Sequence, residues 1–233
     1  MLRRFLPIGA TIFGVVALIG AAGWLYVLNF SPDRGRYPVR GIDVSHHQGV
    51  IDWRHVVEDD IAFAIIKATE GGDHVDPEFL SNFLVARKLG LAVGAYHFFT
   101  LCRSGADQAA NFLRTVPKDQ PQLPPVVDIE FSGNCSERPT PEEFAIQLKV
   151  FIDVVEATFG QPVMIYAIGE AAEIYGAVIP ERRKWVRSLL SHPGHEEWTV
   201  WQYHNNGRVE GIEEPVDLNV LQGGSEALAA LLR

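Results

Sequence analysis

The chain has 233 residues, with 20 Lys+Arg against 29 Asp+Glu and only two cysteines. Setting aside the five Arg and one Asp that precede residue 41 leaves 15 basic against 28 acidic side chains, a net of −13 over the remaining 193 residues. That balance disfavours nucleic-acid binding, and two cysteines outside any Cys-x-x-Cys pair disfavour a zinc ribbon or a thioredoxin-like site.

The first element is apolar. From Phe5 to Phe30 no residue carries a charge, and as a helix at ~1.5 Å per residue the run outreaches a hydrocarbon core of ~30 Å. Arg3 and Arg4 precede it, while Trp24, Tyr26 and Phe30 suit the far interface. The expectation is an uncleaved N-terminal transmembrane helix over residues 1–30 with a cytoplasmic amino terminus. A cleaved signal peptide, with small residues at Gly20 and Ala22, is the alternative. A Pro/Gly/Arg linker over 31–40 leads to one domain over 41–233, large enough for a core but small for a full eight-unit α/β barrel.

Within that domain Gly41 to Val44 and Phe63 to Ala68 are predicted strands. Pro77 to Leu89 is a predicted helix, with an apolar stripe of Phe79, Leu80, Phe83, Leu84 and Leu89 and a stop at Gly90. Ala92 to Phe98 is the third strand, Ser104 to Thr115 a helix, and Pro124 to Glu130 the fourth strand. Thr140-Pro141-Glu142-Glu143 is a capping pattern that opens a long helix to Phe159. After a fifth strand, Val163 to Ile168, the helical segments shrink, and Lys184 to Leu190, Trp198 to His204 and Val216 to Val220 read as three more strands. Five βα units followed by a strand-rich closure make an incomplete α/β barrel.

The run Pro124-Pro125-Val126-Val127-Asp128-Ile129-Glu130 carries the strongest chemical signal. On a strand, positions i and i+2 face the same way, about 7 Å apart along the backbone. Asp128 and Glu130 therefore share one face at the C-terminal end of a buried strand, where α/β folds open their sites. One carboxyl of such a pair is raised to a proton donor and the other stays charged, the division of labour that glycoside hydrolysis needs. Asp-x-Glu also occurs in metal sites and as solvated surface. Gly41-Ile42-Asp43-Val44-Ser45 and Pro215-Val216-Asp217-Leu218-Asn219 place two more carboxylates on the first and last strands. Those strands are neighbours in a barrel, so Asp43 and Asp217 face Asp128 and Glu130 across one cleft.

Several motifs in one order now carry a resemblance: Gly41-Ile42-Asp43-Val44-Ser45 with Gln48-Gly49 and Ile51-Asp52-Trp53; Phe63-Ala64-Ile65-Ile66-Lys67-Ala68-Thr69-Glu70-Gly71; Gly94-Ala95-Tyr96-His97-Phe98; Asp128-Ile129-Glu130; Tyr166; Trp201-Gln202-Tyr203; and Asp217. Over nearly everything after residue 40 the chain resembles the family 25 glycoside hydrolases, the muramidases often called lysozymes. The resemblance implies a (β/α)5(β)3 barrel, a modified TIM-like fold, that hydrolyses the β-1,4 bond between N-acetylmuramic acid and N-acetylglucosamine in peptidoglycan glycan strands. It implies Glu130 as general acid and Asp128 as its partner, holding the substrate's own 2-acetamido group as that group attacks the anomeric carbon; a direct covalent route stays open. Asp43 and Asp217 are expected to tune Glu130 or orient Asp128 and a water.

Tyr96, Tyr166, Trp201, Gln202 and Tyr203 are the expected sugar contacts, and Lys67 with Glu70 either a structural ion pair or a rim contact. Trp53 and Trp185 read as core, and Asp52 as a helix cap. His46-His47 and His97 lack metal-ligand spacing, so no metal and no cofactor is expected. Lys184-Trp185-Val186-Arg187-Ser188 departs from the family, which has there an apolar strand ending in a small residue and tyrosine. Cys102 and Cys135 each follow a strand end, and pairing them closes a loop of about 33 residues, worth ~3 kcal/mol in the chain-entropy model; two free thiols are the alternative. The domain is expected outside the cytoplasm, on the periplasmic or cell-wall side, held to the membrane by its first helix or secreted. A glycan-binding scaffold without turnover and a metal-dependent hydrolase are the competing functions.

Overall fold

The computed structural model describes residues 5–119, 122–194 and 197–232, and the chain divides into two units, Met1–Ser31 and Pro32–Arg233. The first unit is one helix, α1, over Phe5–Asn29. Among the described residues no helix is long and apolar enough to cross a membrane. The transmembrane span expected of residues 1–30 is thus a helix without structural support as an anchor.

The second unit is a closed barrel. Its elements are β1 (Arg40–Val44), α2 (Trp53–Glu58), β2 (Phe63–Glu70), β3 (His74–Val75), α3 (Phe79–Lys88), β4 (Ala92–Phe98), α4 (Gly105–Thr115), β5 (Val126–Ile129), α5 (Pro141–Phe159), β6 (Met164–Ala167), α6 (Gly169–Tyr175), β7 (Arg183–Arg187), β8 (Val200–Gly207), β9 (Val216–Leu221) and α7 (Gly224–Leu231). The strand order is β1-β9-β8-β7-β6-β5-β4-β2, closed by β1 on β2, and β3 is a short antiparallel addition to the end of β2. Strands β1, β2 and β4 to β8 run parallel, and β9 is antiparallel to both its neighbours, β8 and β1. Five strands are followed by helices α2 to α6 and the last three close the sheet.

Local chemistry explains the boundaries. Thr140 and Glu143 form a reciprocal capping box at the start of α5, Pro141 occupies its first turn, and Gly160 ends it at φ 67°, a conformation that glycine adopts without strain. Asp52 caps α2 by accepting from the Arg54 amide. The apolar stripe expected on α3 splits: Phe79 and Phe83 are buried, whereas Leu80 and Leu84 face solvent. A ten-residue helix lying on a sheet buries only one narrow face.

Alternation fills the barrel. Phe63 and Ile65 of β2, Val126 of β5, Met164 of β6, Val200 of β8 and Leu221 of β9 belong to one buried cluster, and the Phe63 ring occupies the space that a side chain on Gly41 would need. Outside the strands, Phe112, Phe144 and Phe151 pack beneath the helices. His97 is among them: fully buried, within 2.7 Å of Thr69 Oγ1 and 3.0 Å of Gln108 Oε1, and stacked on Phe151. Burial holds its pKa down to about 4, so it is a neutral core histidine on the far side of the sheet from the barrel interior. Cys102 and Cys135, 33 positions apart, are bonded to each other, joining the loops that follow β4 and β5. Asn134 reinforces the junction, accepting from the Leu101 amide and donating to the carbonyls of Phe99 and Glu130.

Candidate active site

Inward-facing side chains change character along the strands, from apolar at one end of the barrel to polar at the C-terminal ends of the parallel strands. There they line a cavity of ≈ 310 Å³ that contains Asp43, Asp128, Glu130 and Asp217 together. Tyr96, Tyr166 and Gln202 share its wall with Trp185, Arg187 and Asn205. Asp43 and Asp217 face one another in the β1–β9 register, and Asp128 lies beside Tyr166, itself beside Trp185. A larger open groove of ≈ 790 Å³ runs between the loop after β1 and the β8–β9 loop. It holds none of these four carboxylates.

A buried network fixes the Asp43 side. Trp185 Nε1 donates to Asn219 Oδ1 at 2.8 Å. Asn219 Nδ2 donates to Asp43 Oδ1 at 2.7 Å, and Gln202 Nε2 donates to the same oxygen at 3.1 Å. The Tyr166 hydroxyl in turn donates to Gln202 Oε1 at 2.9 Å. One carboxylate oxygen therefore orients an indole, two amides and a phenol.

Burial raises all four carboxyl groups. Asp43 is pushed well up by burial and then by the charge of Asp217, against the pull of the Asn219 and Gln202 hydrogen bonds. Asp128 is pushed well up by burial and then by Glu130. Burial also raises Glu130, with the positive charge of Arg187 opposing it most, and Asp217, where the hydrogen bond with Asp43 opposes. Burial and the surrounding carboxylates likewise hold Tyr96 and Tyr166 in the protonated, donor form. Asp128 Oδ1 is buried without a hydrogen-bond partner, an arrangement that costs about 1–3 kcal/mol unless a ligand supplies a donor.

Four carboxyl groups raised together in one cleft suit proton transfer to a polar, oxygen-rich ligand. The model of Glycosyl hydrolases family 25 matches residues 42–212. The chain belongs to glycosyl hydrolase family 25. A family 25 glycosyl hydrolase from Bacillus anthracis is 40% identical with a TM-score of 0.75, covering 82% of this chain and 92% of that one. The bacterial lysozyme from Streptomyces coelicolor is 33% identical with a TM-score of 0.73, covering 83% and 96%. Lysozyme M1 of Streptomyces globisporus is 34% identical over 208 residues, 83% of this chain and 71% of the relative.

Within this family 25 barrel, some expected contacts stand elsewhere. Gln202 points into the cavity, so its strand neighbours Trp201 and Tyr203 point out of the barrel. Both are buried, and Trp201 donates to the Ser188 carbonyl and packs with Tyr37, His192 and Trp198; neither lines the cavity. Lys67 donates to Glu70 at 2.7 Å and lies over the Phe98 ring, an ion pair beside the cavity rather than in its wall. Its charge still reaches Asp128 and Glu130 and lowers both.

Three cavity residues went unforeseen. Trp185, read as core, is buried yet lines the cavity, and Arg187 follows it by two positions on the same face. Period-two alternation from Trp185 was the available signal. Asn205 had none, because the β8–β9 register shifts between Gln202 and His204 and again before Gly207. Such bulges re-aim side chains. Among the described residues no group of three or more His, Cys, Asp or Glu side chains is arranged to hold a metal ion.

Proposed function

We propose that this cleft hydrolyses the β-1,4 bond between N-acetylmuramic acid and N-acetylglucosamine in peptidoglycan, with Glu130 as general acid and Asp128 as the group that holds the substrate's 2-acetamido arm. The protein is a lysozyme in this reading. The observation that carries the division of roles is the unpartnered, buried Asp128 Oδ1 beside a more open Glu130 in one cavity. Glu130, at the mouth, is placed to meet the leaving oxygen, while Asp128, deeper, lacks a donor that an acetamido N–H supplies.

The steps balance without an enzyme nucleophile. Glu130 gives its proton to the glycosidic oxygen as the C1–O bond breaks, and the acetamido carbonyl oxygen bonds to C1. The positive charge that this creates on the acetamido group is met by the Asp128 carboxylate through the N–H. Water then adds at C1, losing a proton to Glu130, and the acetamido group is restored. Burial raises both Asp128 and Glu130, while the charges of Lys67 and Arg187 pull both back. The substrate's N–H favours ionised Asp128, and its bulk closes water away from Glu130 and keeps the proton there. Asp43, Asp217, Gln202 and Asn219 hold the opposite wall, and Tyr96, Tyr166 and Trp185 offer ring faces and edges to the sugars.

The domain works outside the cytoplasm, where its polymeric substrate lies. Tethering by residues 1–30 rests on the uncharged run from Phe5 to Phe30 alone; retention of the full chain in alkali-washed membranes supports it, and release into the medium without that segment sinks it. Catalysis is tested by mass spectrometry of fragments freed from purified peptidoglycan by the full chain and its Glu130→Gln variant. Muropeptides ending in reducing N-acetylmuramic acid, made by the wild type alone, are expected. Wall binding by both proteins with release by neither would mean a glycan-binding protein instead.

A further inference from the structure

Two side chains of the cavity, Arg187 and Asn205, have no part in the reaction steps above. Arg187 ends β7 two positions beyond Trp185, so both project to the same side and both line the cavity with the four carboxylates. Among the described residues of that lining it is the one cation. Lys67, the other positive charge felt by the acid pair, is tied to Glu70 at 2.7 Å. The Arg187 side chain forms no hydrogen bond or ion pair with the described residues and stays exposed at the mouth. Its charge nevertheless reaches Asp128, Glu130 and Asp217 and lowers all three.

A guanidinium is a planar fork of five N–H donors whose geometry matches a carboxylate. On the neighbouring strand, Asn205, brought into the wall by the β8 bulges, adds an exposed amide. A strand of peptidoglycan is itself anionic, with carboxylates on the lactyl arm of muramic acid or on its stem peptide. A cleft lined by four acidic side chains repels those groups everywhere except at this point of the wall.

We propose that Arg187, with Asn205 on the adjacent strand, is a specificity-determining residue that receives a carboxylate of the glycan strand beside the scissile bond. The inference rests on the muramidase reading of the cleft. Binding is measured by calorimetry with the full chain carrying Glu130→Gln, so that no ligand is consumed. Three ligands are used: amidase-stripped glycan, whose lactyl carboxylate is free; uncross-linked strands with intact stems, whose carboxylates lie on the peptide; and stripped glycan whose carboxylates have been converted to methylamides. One carboxylate-bearing ligand is expected to bind about 10- to 100-fold more tightly than the methylamide, the range of a hydrogen-bonded charge, and which one identifies the source. Adding Arg187→Gln should erase the preference, and Arg187→Lys should restore part of it.

A preference that survives Arg187→Gln, or no preference in any variant, overturns the proposal. So does an Arg187→Gln enzyme that keeps its affinities but shifts the pH dependence of kcat, since the arginine would then act through Glu130. A wild type that releases no muropeptides refutes the muramidase reading itself. Release by the wild type combined with an unchanged carboxylate preference in Arg187→Gln refutes only the role given to the arginine.

Discussion

Asp43 offers a sharp test of how the cleft is held together, because two substitutions there separate charge from hydrogen bonding. Asp43→Ala removes the oxygen that accepts from Gln202 Nε2 and Asn219 Nδ2, leaving two buried amide donors unpaired at about 1–3 kcal/mol each, or roughly 2–6 kcal/mol in all. Asp43→Asn keeps an oxygen for both donors and places an N–H toward Asp217, as the protonated acid does. It also removes a charge that burial and Asp217 disfavour. The folded pKa is raised above the ordinary 3.8, so the folded state holds its proton after the unfolded chain has lost it. The penalty is absent below the unfolded pKa and grows as pH rises toward the folded one. Urea unfolding should therefore find Asp43→Asn equal to wild type near pH 3.5 and at least as stable at pH 7, with Asp43→Ala well below both at either pH. An Ala variant as stable as the Asn variant, or an Asn variant as damaged as Ala at pH 7, would refute the network as the support of the site.

The acid pair should give pH profiles whose alkaline limbs differ between free and bound enzyme. Glu130 and Asp128 are both raised, so activity persists above the ordinary glutamate value of 4.5 and falls as pH climbs through the folded pKa; the limb of kcat, which reports the complex, should lie higher than that of kcat/KM. Coincident limbs would mean that bound glycan does not raise the acid further. His97 predicts an acid instability: with its pKa lowered from 6.5 to about 4, the unfolded chain takes up the proton first, so stability is full above pH 6.5 and falls by about 3 kcal/mol as pH drops to 4. In denaturant titrations across that window the wild type should lose stability relative to His97→Asn by about that amount. Trp201→Ala should lower stability by about 3–5 kcal/mol while leaving KM for glycan unchanged in the folded fraction, whereas a large rise in KM would return Trp201 to the cleft.

The fold was legible where one physical rule acted alone. The apolar runs, the Thr140 cap and the glycine stops marked five βα units, and the closure of first strand on last brought Asp43 against Asp217 before any coordinates. The site was read less well where two rules competed. In sequence Trp201-Gln202-Tyr203 reads as three sugar contacts because aromatic and amide groups suit sugars, yet a strand sends neighbours to opposite faces, and only Gln202 looks inward. The same alternation applied to Lys184–Ser188 pairs Trp185 with Arg187 and puts both in the cavity. Asn205 was beyond such reading, since the register shifts that aim it depend on how β8 meets an antiparallel β9. The amino-terminal run shows the converse: composition sufficed for a helix, but what surrounds a helix is not written in its own hydropathy.

The gathering of four carboxylates explains why so much of the polar interior is committed to one oxygen. Each group is raised by burial, so each opposes folding at neutral pH, and a barrel selected for stability alone would carry apolar side chains there. Gln202, Asn219, Trp185 and Tyr166 reduce that opposition on the Asp43 side, whereas Asp128 is left with a bare oxygen. The asymmetry is the informative part. The wall opposite the acid pair is tied down whereas Asp128 Oδ1 is left without a partner, and in the proposed reaction that is where the substrate's acetamido N–H donates.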